Sequence, residues 1–396
     1  MLKKWGKNMI DKLEKGKCTG CYTCANKCPQ KCIKMVEDKE GFLYPEIDEE
    51  KCIKCNLCEK VCPVMQKKQS NNDKNPIVIA AWSKNNNIRL DSTSGGVFSE
   101  LAKEVLNNGG YICGAIYDEN WMVKHILTNK IEDLEKIRSS KYIQSRIEDT
   151  FLEIKEKLDE GKTVLMCGAP CQVEGLANFL NKDYDNLILC DFICRGVNSP
   201  KIFRKYLDSL EKKYKSKIKA IKFKDKTYGW HSFSTRIEFE NGKKYIGNRY
   251  LDSFMIGYLK YNAFMRPSCY DCQFKGLPRR SDITLADFWG IEKIAPQLDE
   301  DKGTSMVLLN SEKGRNLFAK IKENINHYEI EDKDNFLQNK CMYDSVEMTE
   351  SRKHVLNEMN NLDYDELRKK YFPEPKKLKI FRINISLLLK KIKNRK

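Results

Sequence analysis

Apolar and polar positions alternate differently along different parts of the chain. The first 66 residues hold no long periodic stretch. Within them Gly41–Asp48 (GFLYPEID) reads as a short β-hairpin insertion. The polar, unpatterned run QKKQSNNDKNP then predicts a linker over 67–76. From Ile77 the pattern becomes that of an α/β layer. Ile77–Trp82 predicts a strand, and Val97, Leu101 and Val105 share one face of a helix that the run from Asn107 to Gly110 stops. Thr163–Cys167 predicts a buried strand, followed by a turn at 168–170 and a helix from about Gln172 to Leu180. Leu187–Ile193 predicts another buried strand. This βαβ alternation implies a partly parallel sheet covered by helices. Ser234–Glu240 and Lys243–Ile246 flank Asn241-Gly242, a hairpin with a type I′ turn signal. Mostly helical, polar sequence follows Gly314. At the end, Leu378, Phe381, Ile385, Leu388 and Ile392 recur at helical spacing among Lys and Arg, the pattern of a basic amphipathic helix.

Composition narrows the class. The chain has 396 residues, 41% of them hydrophobic, enough for two or three domains with a sizeable core. No apolar run approaches the roughly 18 residues of a spanning helix. The opening MLKKWGKNMIDKLEKGKC has scattered charge and no apolar h-region, so a cytosolic location is expected. There, seventeen cysteines imply metal or redox chemistry rather than disulfides. Only four histidines are present, which favours sulfur ligation over zinc hydrolase or His-ligated iron chemistry.

Those cysteines open with a repeat. The run from Cys18 through Cys21, Cys24 and Cys28 to Pro29 recurs 34 residues later as Cys52, Cys55, Cys58, Cys62 and Pro63. The spacing C-x2-C-x2-C-x3-C-P wraps three thiolates around one cubane and sends the fourth to the other. It predicts one [4Fe-4S] cluster on Cys18, Cys21, Cys24 and Cys62, and a second on Cys52, Cys55, Cys58 and Cys28. The competing reading, a pair of zinc ribbons, makes odd use of a doubled four-cysteine run. The start of the chain is therefore read as an α+β ferredoxin-type domain over 1–66, with Cys32 left over. Two adjacent clusters conduct electrons singly, so any chemistry belongs after residue 76.

The net charge of +16 is concentrated: nine Lys/Arg and no acid lie between Lys376 and Lys396. The basic pI is thus mainly a tail property, and no nucleic-acid partner is expected. Such a tail would suit an anionic membrane surface, or else dock on its own domain or on a partner. No GxGxxG follows a strand and no GxxxxGK[ST] occurs, which argues against a Rossmann NAD site and a P-loop NTPase. Gly95-Gly96 at a helix start could cradle an anion, though helix-opening glycines are common. Cys171, Cys194 and the pair Cys269 and Cys272 suggest a further thiolate set; taken singly, each is equally a buried apolar cysteine, as Cys113 and Cys341 are expected to be. The absence of C-x3-C-x2-C argues against radical SAM chemistry.

The segments STSGGVFSEL (92–101), SSKYIQS (139–145), CGAPCQVEGL (167–176), FICRGV (192–197) and RPSCYDCQF…RRSDITLADFWG (266–290) resemble the family of coenzyme F420 hydrogenase/dehydrogenase beta subunits. The resemblance runs from about Cys18 to Gly290, and the fused ferredoxin is similar to the family's longer members. It implies an α/β flavin-binding domain with a mixed sheet, divided into a family N-terminal part (77–160) and a C-terminal part (161–345), before a helical region with the basic tail (346–396). It implies FAD lined by Ser94, Gly95, Gly96, Lys141, Tyr142, Gln144 and Ser145. It also implies a third [4Fe-4S] cluster on Cys171, Cys194, Cys269 and Cys272, with Cys167 and Cys190 as substitutes. Flavin would then convert between a two-electron substrate, either deazaflavin or another small organic molecule, and the one-electron clusters. Lys141 and Arg195 would stabilise reduced flavin or an acidic substrate, unless they are structural ion pairs. A ferredoxin or other redox protein is the expected partner. A non-enzymatic relay component of a larger complex is the alternative.

Overall fold

The computed structural model describes residue 10, residues 13–331 and residues 339–393. Most of the opening stretch read for a leader, residues 394–396 and the side chain of Ile392 lie outside the described residues. The strands are β1 (Ile33–Glu37), β2 (Leu43–Ile47), β3 (Ile77–Ser83), β4 (Tyr111–Tyr117), β5 (Val123–Thr128), β6 (Ser145–Arg146), β7 (Val164–Gly168), β8 (Leu187–Phe192), β9 (Ile218–Asp225), β10 (Ser234–Phe239), β11 (Lys244–Asn248), β12 (Ile283–Asp287), β13 (Ser305–Leu309) and β14 (Ile325–Glu329).

Nine of them form one mixed sheet in the order β14-β3-β13-β12-β8-β7-β4-β5-β6. Its centre, β12-β8-β7-β4, is parallel; β13, β3 and β14 flank it antiparallel on one side, and β5 on the other. Residues 77–160 and 161–345 thus contribute to the same sheet. The alternation along β7 and β8 explains the two covered faces. Leu165 and Ile188 point to one side, where they pack with Val97, Leu101 and Val105 of the helix Val97–Asn107. Val164, Met166 and Leu189 point to the other, against Phe151, Ile154, Val173 and Leu176 from the helices Thr150–Asp159 and Pro170–Leu180.

Several local expectations change. The amino-terminal hairpin is longer than Gly41–Asp48: β1 pairs antiparallel with β2, with Met35 opposite Pro45. Gly41, at φ +83°, makes the turn rather than opening a strand. The hairpin β10-β11 does not use a type I′ turn, because Gly242 is left-handed (φ +80°) but Asn241 is not. Instead Gly242 N–H donates to Phe239 O at 3.0 Å and Phe239 N–H to Lys243 O at 3.0 Å, a longer loop closed by a glycine bulge. After Gly314, β14 adds an edge strand beside β3 before the helices Glu350–Glu358 and Tyr364–Tyr371.

The last helix, Lys377–Lys393, rests on the body through buried Leu387 and a 2.6 Å bond from Lys390 Nζ to Ser232 Oγ. Its other side is open: Leu378, Phe381, Ile385 and Leu388 are 65, 62, 45 and 59% exposed. Among the described residues no helix is long and apolar enough to cross a membrane.

The cysteine-rich module is seated firmly on the sheet domain. Asn26 Nδ2 donates to Glu148 O (2.7 Å) and Lys27 Nζ to Phe179 O (2.9 Å), and Glu40 pairs with Arg352 at 2.6 Å. Fully buried Arg266 donates to Cys18 O (2.7 Å) and to Gln144 Oε1 (3.2 Å), and its guanidinium lies 4.0 Å from the Tyr44 ring.

Candidate functional site: three thiol sets and a cavity

The two repeated loops share an unusual backbone. Gly20 and Tyr22 in the first copy, and Lys54 and Asn56 in the second, lie in the left-handed region at φ +67°, +66°, +54° and +59°. Three of the four are not glycine, at a cost of roughly 1–2 kcal/mol each. Left-handed residues set between right-handed ones turn successive backbone N–H groups toward one point, the concavity that receives an anionic centre such as a thiolate-ligated cubane. The short helices Thr23–Lys27 and Leu57–Val61 then carry Cys24 and Cys58 and place Cys28 and Cys62 at their ends.

The thiols of the module fall into two groups. Burial raises the Cys24 thiol well above its ordinary range, and Cys21, Cys18 and Cys62 push it the same way, with Cys58 contributing last. Cys62 is pushed up to about 12 by burial, with Cys21 and Cys18 adding to it. Cys28, Cys52, Cys55 and Cys58 line one narrow cavity of their own, together with Cys32. Buried neighbouring thiolates repel one another unless a cationic centre takes their charge, which iron supplies.

A third set forms where the central strands end. Cys171 opens the helix Pro170–Leu180 after β7, and Cys194 follows β8 by two residues. Cys269 closes the turn Pro267–Cys269, with Cys272 just beyond. The Cys171 thiol is raised by burial and then by Cys272, Cys194, Cys21 and Cys269. All four residues therefore converge, and Cys21 of the first loop stands beside them. Two glycines make this closeness feasible. A Cβ at Gly175 would overlap Thr23 Oγ1 and come within 3.5 Å of Cys21 Sγ; one at Gly196 would meet Cys269 Cβ at 2.9 Å. Lys275 Nζ donates to the carbonyls of Cys194 (2.7 Å) and Cys341 (2.6 Å), placing a cation beside the set.

Cys171 and Cys194 also form part of the wall of a cavity of about 590 Å³. That volume suits a cofactor-sized ligand. Ser94, Gly96, Lys141, Tyr142, Gln144, Ser145 and Arg195 all line it, as do Thr19 and Gly20 of the first loop. Gly95 does not. It stands behind the wall, its N–H on Ser305 Oγ at 2.9 Å, where a Cβ would strike the carbonyl of Ala81. Gly96, at φ +87°, caps the helix Val97–Asn107.

Several lining side chains already have structural work. Ser94 Oγ donates to Thr304 O (2.8 Å), Ser145 Oγ accepts from Gln172 (2.8 Å), and Gln144 Oε1 accepts from Leu43 N (3.1 Å). Lys141 Nζ donates to the carbonyls of Ile137, Arg138 and Ser139 at 3.1–3.3 Å, at the end of the helix Ile131–Ile137. Loss of bulk water there lowers its pKa to about 7. Arg195 donates to Asn262 Oδ1 (2.6 Å), Leu259 O (3.1 Å) and Cys341 Sγ (4.0 Å), none of them a carboxylate.

Sequence reasoning missed other wall residues. His125 is buried beside the Cys167 backbone, and burial lowers its pKa to about 4. Asp287 accepts from Lys224 Nζ at 2.9 Å and Trp230 Nε1 at 2.8 Å, while Trp230 stacks on Trp289 at 4.7 Å. Nothing local in the sequence pairs Asp287 with Lys224, 63 residues away.

Thiol sets strung from a doubled ferredoxin loop to the wall of a large cavity define an iron–sulfur electron-transfer protein built on a mixed α/β sheet. The chain belongs to the family of coenzyme F420 hydrogenase/dehydrogenase beta subunits: the family's C-terminal and N-terminal profiles match residues 161–335 and 78–150. A 4Fe-4S dicluster domain matches residues 17–65. One of the subunits of the F(420)H(2) dehydrogenase of Methanosarcina mazei is 29% identical over 165 residues, 39% of this chain and 46% of that one. The coenzyme F420-dependent sulfite reductase of Methanocaldococcus jannaschii is 29% identical over 178 residues, 43% of this chain and 26% of the reductase. The chain spans less than half the length of these curated relatives. A chain of the F420-reducing [NiFe] hydrogenase complex of Methanosarcina barkeri superposes with a TM-score of 0.46 at 16% identity, over 74% of this chain and 91% of that one.

Proposed function

We propose that the chain is an oxidoreductase in which the 590 Å³ cavity holds FAD and exchanges electrons with three [4Fe-4S] clusters in series. The observation that carries this reading is the position of Cys171. It lies on the cavity wall, within the third thiol set, and next to Cys21 of the ferredoxin module. FAD would supply hydride exchange with a two-electron organic substrate, coenzyme F420 or another, and release electrons singly. The protein's own residues do the rest. Gly96 and the helix it opens offer backbone N–H groups and a positive dipole end to phosphate. The Lys141 ammonium and the Arg195 guanidinium place positive charge on the wall. His125, kept neutral by burial, offers one donor and one acceptor to a bound ring.

The test is turnover. Anaerobic protein loaded with FAD should oxidise reduced coenzyme F420, or another hydride donor, with an artificial one-electron acceptor. A relay protein without flavin chemistry would show no turnover with any donor while its clusters still reduce and reoxidise.

The same reading places the protein in the cytosol with its last helix on an anionic lipid surface. Lys and Arg without any acid flank an apolar stripe left open to solvent, and the opposite charge sits on acidic lipid headgroups. The intact chain should sediment with phosphatidylglycerol-containing vesicles, and the chain lacking Lys376–Lys396 should not. An intact chain that ignores such vesicles contradicts this placement, as does one whose stripe is covered by a second copy in solution.

A further inference from the structure

Cys32 lies outside the repeated frame. It follows Cys28 by four residues, and the matching place after Cys62 is Gln66, so this thiol belongs to one copy only. It is 4% exposed, and its Sγ is 3.3 Å from Cys28 Sγ. With Cys28, Cys52, Cys55 and Cys58 it lines the cavity that Ile33 and Ile47 close. Its backbone is held apart from the ligand loop: Cys32 O accepts from Asp48 N at 2.8 Å, fixing it at the mouth of the β1-β2 hairpin. A fifth sulfur is therefore placed at the second cluster site by an element that does not depend on Cys28.

We infer that Cys32 is a reserve ligand of the second cluster, taking over the iron of Cys28 when that bond is lost. In the exchange the iron–Cys28 bond breaks and the Cys28 sulfur takes up a proton. Cys32 gives up its thiol proton and forms the new iron–sulfur bond, so the charge balances and no electron moves. The first cluster has no such spare, since Gln66 stands where the thiol would be.

The test compares iron, acid-labile sulfide and the reduced-state EPR signal in C28A, C32A, C28A/C32A and C62A, all purified anaerobically. C28A is expected to keep the parent iron content with a shifted second-cluster potential. C28A/C32A should lose about four irons per chain. C62A should lose the first cluster although every other thiol is intact. A folded C28A that loses the same iron as the double variant overturns the inference. Should C28A fail to fold, Cys28→Ser answers the same question by Mössbauer spectroscopy. All-thiolate ligation supports Cys32 as the replacement, and an oxygen-ligated iron contradicts it.

Discussion

The ferredoxin module and the region beside the cavity each gather thiols, and they do so by opposite means. In the module a single short loop brings three cysteines together, with left-handed residues such as Tyr22 and Asn56 fixing its path. In the third set, Cys171 and Cys194 on the wall and the Cys269–Cys272 pair behind them arrive from separate parts of the chain. Cys171 and Cys194 follow the neighbouring strands β7 and β8, and the segment before Cys269 is tied to the chain after β8 by Arg266 N–H donating to Val197 O at 3.0 Å. A loop site is specified by spacing; a distributed site is specified by the whole sheet. The first should survive changes to the fold around it, while the second should report them.

The largest expected effect separates the sites outright. Cys171→Ala should remove about four irons, leaving the ferredoxin signals intact. Electrons added at the cavity should then no longer reach the module in stopped-flow experiments. Unchanged transfer would mean that the cavity feeds the module without the third set.

The seam between the regions comes next. Arg266→Met removes the donors to Cys18 O and Gln144 Oε1 from a fully buried place. Gln144 Oε1 keeps Leu43 N as donor, so the loss falls on Cys18 O, and leaving it unpaired should cost about 1–3 kcal/mol in denaturant unfolding. Gly175→Val forces a side chain into Thr23 and should cost about 1–3 kcal/mol while slowing transfer between the third set and the first cluster. A stable, fast Gly175→Val variant would contradict the close seating of Cys171 beside Cys21.

This contrast also explains what the sequence could reveal. The doubled cysteine frame, the strand over 77–82 and the helix faces of Val97, Leu101 and Val105 were readable because spacing and periodicity are local. The third thiol set was suggested by its cysteines but assigned as a ligand set only through the family resemblance, since no interval between its members encodes their meeting. The bond from Leu43 N–H to Gln144 Oε1 and the pairing of Asp287 with Lys224 were not readable at all, because each joins strands or loops far apart in sequence. Gly95 and Gly96 looked alike in the sequence. In the fold one closes against Ala81 and the other faces the cavity. The type I′ signal failed because Asn241 keeps an ordinary backbone and Gly242 alone takes the left-handed turn.

The smallest expected effect concerns pH. With a pKa near 7, Lys141 is an ammonium below that pH and a neutral amine above it. FAD affinity should therefore weaken, by about tenfold at most, as pH rises through 7 toward 8. Lys141→Met should bind more weakly at pH 6 and show a flat profile in fluorescence titration. A parent profile that is flat or rises over this range would remove Lys141 from the flavin site.

Iron, acid-labile sulfide and flavin per chain, measured on anaerobically purified protein, test the central claim most directly. Three clusters in series with a flavin require about twelve irons and one FAD. About eight irons and no flavin, even after reconstitution, would leave only the ferredoxin module and contradict the account of the cavity.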